Sequence, residues 1–147
     1  MKSFFDKSAQ EELQQRIQKI DANRKGQWGR MTTAQMLAHC RVAMQVPVGD
    51  LVLKRNALSL IGWMFKGMII SDKPFSKNSP TAAEYRMIDE KHFENELQLF
   101  HTTFQKLAQG PSAIVCWKHP FFGKMSVEDW GHLMYKHLDH HLRQFGV

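Results

Sequence analysis

Four segments of this chain open with Ser or Thr followed three residues later by Glu, Gln or Asp, and each leads into apolar residues spaced by threes and fours. In that pattern two side chains reciprocally satisfy the free amide groups of a starting helix, so it predicts helices where a sheet would need strict alternation. Ser8 with Glu11 opens the first, whose Leu13, Ile17 and Ile20 share a face and which ends near the loop from Gly26 to Gly29. Thr32 with Gln35 opens the second, where Met36, Cys40, Ala43 and Met44 fall at core spacing until Pro47 and Gly49 stop it. Pro80 and Thr81 with Glu84 start the third and longest, along which Phe93, Leu97, Phe100, Phe104 and Leu107 step by four and three up to Gly110 and Pro111. Ser126 with Asp129, a weaker variant of the pattern, starts the fourth, which runs to Phe145 before Gly146.

At 147 residues and 43% hydrophobic content the chain suits one domain, residues 1–147, around one core. The expected fold class is all-α, a four-helix bundle with a long crossover between the second and third helices. Within that crossover, Leu58 to Ile70 reads as a short buried connecting helix carrying Leu60, Ile61, Met64, Phe65 and Met68. It contains Lys66 and falls short of the roughly 20 residues of a membrane span. Asp72 to Pro80 and Gln109 to Met125 read as loops, with Ala113 to Trp117 prone to an extended piece. Only Cys40 and Cys116 occur, too few for a disulfide framework, and Asp6 interrupts what would be the apolar part of a signal peptide, so the expected compartment is the cytoplasm. The net charge of +6 favours acidic small molecules or a weak nucleic-acid encounter over cationic partners, and charge alone does not choose between the two. Its lysines and arginines are dispersed, and no helix-turn-helix, zinc finger or aromatic-basic platform is visible, so a nucleic acid is not the expected partner.

The last helix carries the chemistry. At about 100° per residue, Trp130, Leu133, Met134, Leu138, Leu142 and Phe145 form its apolar stripe. His137 and His141 lie inside the stripe one turn apart, His140 lies on its margin, and His132 points to the solvent side. Two imidazoles at i and i+4 can bring their nitrogens onto one ion. His39 occupies the same kind of position on the second helix, among Met36, Cys40 and Ala43. Any one of the three, alone, reads as a core histidine bonded to a backbone carbonyl. Three together would leave several polar nitrogens to satisfy, at about 1–3 kcal/mol for each left unpaired, and a shared divalent metal ion satisfies them at once.

Other residues have two readings. His119, in a His-Pro-Phe-Phe-Gly loop before the last helix, is a candidate catalytic acid or base, or else part of a turn whose Phe121 and Phe122 plug the core. Gln144, one turn beyond His141, can orient a ligand or serve as a helix-end amide contacting backbone, the simpler of the two. Cys40 points about 100° away from His39 and reads, like Cys116, as a core thiol. His92, His101, Lys136, Asp139 and Arg143 are expected at the surface, and Trp28, Trp63, Trp117 and Trp130 at helix junctions.

Trp28-Gly29 with Met31, the run Gln35 to His39, His119 to Lys124, Trp130-Gly131 and the run Tyr135 to Phe145 together resemble the DinB/YfiT-like superfamily, and within it a family whose reaction is unassigned. The resemblance covers nearly the whole chain, most specifically its final twenty-five residues. It implies a four-helix bundle that binds nickel, zinc or a related ion, iron or manganese included, through one histidine of the second helix and a His-x-x-x-His pair on the last. Those positions match His39, His137 and His141. Some relatives are thiol-dependent enzymes, such as bacillithiol transferases and mycothiol-dependent maleylpyruvate isomerase, and relatives often form homodimers. The expected function is thus that of a metal-dependent enzyme, a transferase or hydrolase acting on a small molecule with a low-molecular-weight thiol as one candidate cosubstrate. The alternative is a non-catalytic metal- or ligand-binding bundle.

Overall fold

A computed structural model describes residues 1–53, 62–68, 71–79 and 81–147, with the backbone alone for Trp63 and Met68. Its helices are α1 (Lys7–Ile17), α2 (Thr33–Gln45), α3 (Phe93–Leu107) and α4 (Val127–Gln144). A two-residue antiparallel pairing joins β1 (Lys118–His119) to β2 (Gly123–Lys124). The fold is an all-α bundle.

Two of the four expected caps form in full. Thr32 accepts the Gln35 amide at 3.2 Å while Gln35 accepts the Thr32 amide at 3.0 Å, and Ser126 and Asp129 exchange the same pair at 3.0 and 2.8 Å. The other two starts are corrected. In α1 the capping place belongs to Asp6, whose carboxylate accepts the Ser3 amide at 2.8 Å, because the fully buried Phe4 pins the chain just before it. The helix stops at Ile17, and Ile20 is buried from the turn that follows. The third helix begins at Phe93, not near Thr81, so that α4 and not α3 is the longest, and Ala83–Tyr85 forms only a 3-10 turn. Ahead of Phe93 the chain has no apolar stripe to bury, with Ala82, Ala83, Glu84 and Ile88 all exposed. A short helix without a packed face does not hold in water. Pro80 lies outside the described residues.

The crossover differs as well. Gly62–Met68 is a 3-10 segment whose Met64 and Phe65 are exposed rather than buried, while Leu60 and Ile61 lie outside the described residues. Polar contacts and close backbone approach hold it. Lys66 donates to the Lys124 carbonyl at 2.9 Å and pairs with Asp129 at 2.6 Å, and a Cβ at Gly62 would stand 2.0 Å from the Phe121 carbonyl oxygen. The extended piece expected at Ala113 to Trp117 sits slightly later, at Lys118–His119.

α2 is buried around most of its circumference and packs along α3 and against α4, while α1 lies on α4. Phe4, Leu13, Met44, Phe100, Phe104 and Trp130 fill the space between them. Asp139, expected at the surface, is buried. It accepts from Arg16 of α1 at 2.8 Å and from Arg143 at 3.1 Å, a pairing that removes the cost of enclosing a lone carboxylate. Among the described residues no helix is long and apolar enough to cross a membrane.

Candidate metal centre

The cap at Thr32 sets the register of α2, and that at Ser126 the register of α4. Together they bring His39 against His137 and His141. One ring nitrogen from each lies within 4.8 Å of the others, and the ring centroids stand 4.6 to 4.9 Å apart. Nitrogens bound at about 2.0–2.1 Å to one tetrahedral ion stand about 3.3–3.4 Å from each other. His39 Nε2 and His137 Nε2 are already 3.0 Å apart.

Hydrogen bonds decide which nitrogen faces inward. His39 Nδ1 lies 2.8 Å from the Tyr85 carbonyl oxygen, which can only accept, so Nδ1 carries the proton and Nε2 presents its lone pair. The same reasoning reaches His141 through an intermediary. Gln144 Nε2 donates to the Trp28 carbonyl at 2.7 Å, which turns the amide oxygen towards His141 Nδ1, 2.8 Å away. His141 must then donate from Nδ1. His137 Nδ1 is buried without a hydrogen-bond partner among the described residues.

Burial disfavours the charged form of all three. The His141 pKa falls from 6.5 to about 3, that of His137 falls well below its ordinary value with the neighbouring histidines adding to the effect, and that of His39 is lowered despite the opposing Tyr85 carbonyl. His39 and His141 turn unprotonated nitrogens toward His137, whose Nε2 shares a 3.0 Å contact with His39 and whose Nδ1 is orphaned behind it, and three such imidazoles form a donor set that suits zinc, nickel or iron. The cluster can hold a divalent ion.

A family model described as the DinB superfamily matches residues 6–145. The chain belongs to the DinB superfamily. Searches of the curated proteins and of the solved structures returned no match.

Around the histidines of this DinB protein, the remaining candidates fall as follows. His119 is buried, and its Nδ1 accepts the Phe121 and Phe122 amides at 3.0 and 3.2 Å, so that nitrogen is engaged in the turn. The ring packs between Phe122 and Trp130, and burial lowers its pKa to about 4. For Gln144 both readings hold at once, since it bonds His141 and the backbone of Trp28. Cys40 is a core thiol whose pKa burial pushes up, with Sγ 3.8 Å from the Met36 sulfur. His140 packs edge-on to Trp28 and Phe75. His92 is exposed, His101 lies against Phe100, and His132 departs from expectation by being half-buried with a shielded Nδ1. Sequence reasoning missed the Tyr85 carbonyl, because a main-chain acceptor leaves no signature in residue type.

These depressed values predict a stability profile. In the unfolded chain each histidine titrates near 6.5. In the native protein His39, His119, His137, His140 and His141 all hold their protons less tightly, chiefly because burial disfavours the cation. Below about pH 6.5 the unfolded chain therefore binds protons that the native one refuses. Their contribution to stability is complete above that pH and is lost as pH falls towards 4 and then 3. Urea midpoints measured in chelator should hold steady between about pH 7 and 8 and drop steadily from 6.5 to 4.5; a flat profile across the lower range contradicts the burial of these rings.

Proposed function

We propose that this DinB-superfamily chain is a metal-dependent enzyme in which His39, His137 and His141 hold one divalent ion, zinc or nickel before iron or manganese. The observation that carries the reading is the convergence of three histidines, in which the ring protons of His39 and His141 are tied to acceptors facing outward and their unprotonated nitrogens face His137. A cation between the nitrogens would satisfy all three rings at once and leave His137 Nδ1 to carry its proton. A bound ion supplies Lewis acidity and lowers the pKa of a coordinated water or thiol.

Three protein ligands leave a position for an exogenous one, as in catalytic rather than structural sites. The reaction class this supports is transfer or hydrolysis on a small molecule, with a low-molecular-weight thiol as candidate cosubstrate, in a cytoplasmic protein that can pair as a homodimer. His119 is the candidate to move protons, through the nitrogen not engaged by its turn. A second reading, a closed site that only stabilises the bundle, draws support from the burial of His39 and His141.

The test is elemental analysis of protein purified without affinity tag or chelator, followed by cobalt substitution. The reading expects about one ion per chain and a cobalt spectrum that shifts when a thiol or azide is added. A cobalt spectrum indifferent to every added ligand favours the closed site, and a native protein that neither carries nor takes up metal ends both.

A further inference from the structure

The geometry points to Gln144 as a positioning residue, one that acts through His141 to aim its Nε2 at the metal centre. This inference rests on the metal reading above and adds a residue to it.

Three observations converge. The side chain of Gln144 is buried and uses both ends of its amide, taking the His141 proton on oxygen and giving its own to the Trp28 carbonyl. The carbonyl cannot donate, so the amide cannot flip without losing both bonds, and the His141 ring cannot adopt the other tautomer without setting an unprotonated Nδ1 against an oxygen. The loop is also shaped around this amide. Gly29 has φ +78°, and a Cβ there would stand 2.5 Å from Gln144 Nε2. The Gln27 amide donates to the Gln144 main-chain carbonyl at 2.7 Å, so the loop grips the residue by backbone and by side chain. His39 receives the equivalent support from a backbone carbonyl, and among the described residues only His141 depends on a side chain that can be replaced.

An amide at this place also differs from a carboxylate. It orients the imidazole while leaving it neutral and only modestly basic, so the ion it ligates keeps more of its charge.

The experiment compares zinc affinity by competition titration in the full chain, in Gln144→Leu and in Gln144→Glu, alongside ring-nitrogen NMR of the wild type with and without zinc. Gln144→Leu removes the acceptor and should weaken zinc by about 10- to 100-fold, whereas Gln144→Glu keeps an acceptor for His141 but loses the bond to Trp28, and should fall between wild type and Gln144→Leu. The wild-type spectrum should show His141 protonated on Nδ1 in both conditions. Equal affinity in Gln144→Leu, equal loss in the Leu and Glu variants, or a His141 protonated on Nε2 each overturns the positioning role while leaving the three-histidine site standing. Should Gln144→Leu not fold, the wild-type tautomer decides. A wild type that takes up no zinc overturns the metal reading and this inference with it.

Discussion

Replacing His137 by alanine should empty the metal centre and leave the helices in place. The imidazole contributes one of three nitrogens, and its Nε2 lies 3.0 Å from that of His39, so its loss leaves only His39 on α2 and His141 on α4. Two remaining histidines on different helices do not retain an ion against a chelator, and bound metal should fall from about one per chain to near none. The fold should tolerate the change. His137 Nδ1 is buried without a partner among the described residues, so deleting the ring removes an unsatisfied group as well as some packing. The two effects oppose each other, and metal-free stability should move by less than about 1 kcal/mol. Circular dichroism and a urea midpoint in chelator check the fold, and metal analysis checks the site. An exposed histidine, His92, serves as control and should keep its metal when changed to alanine. Stoichiometric metal retained by the His137 variant would sink the proposed site.

Trp130→Ala should produce the largest loss of stability. The indole has no exposed surface, sits at the junction of α4 with the turn that carries His119, and donates from Nε1 to the Cys116 carbonyl at 2.6 Å. Truncating a buried tryptophan costs about 3–5 kcal/mol through lost burial and the cavity left behind. The stranded carbonyl adds to that. Trp117, 56% exposed, is the matched control, and its alanine variant should stay within about 0.5 kcal/mol of wild type. Denaturant midpoints compared across the three proteins test this, and similar losses at both tryptophans would show that the indole of Trp130 is not the anchor described.

Much of this was legible in the residues because it depends on patterns that residues carry. The caps at Thr32 and Ser126 and the apolar stripe of α4 placed the two helices that carry the histidine cluster, and helical periodicity placed His39, His137 and His141 on their inner faces. The failures share a cause. A capping pattern describes the two ends of a potential first turn, and Thr81 with Glu84 satisfies it, but nothing buries the turn that follows. Asp139 was misplaced because its neighbour across the helix pair, Arg16, lies 123 residues earlier, and no periodicity within α4 reveals that partner. For Gln144 the face was visible and the contact was not, since the acceptor that orients it belongs to the backbone of a distant loop.

The bond from His39 to the Tyr85 carbonyl carries a consequence for how sequences of this shape can vary. A main-chain oxygen is present whatever side chain stands there, so the crossover is free to drift in composition around that point. Its spacing is another matter. Adding or deleting a residue between the 3-10 turn at Ala83–Tyr85 and the start of α3 at Phe93 would move the oxygen by more than 3 Å, beyond the reach of the imidazole. Insertions tolerated in ordinary surface loops should be counter-selected in this stretch, while a substitution at Tyr85 keeps the oxygen and gives up only the edge contact of its ring with His39.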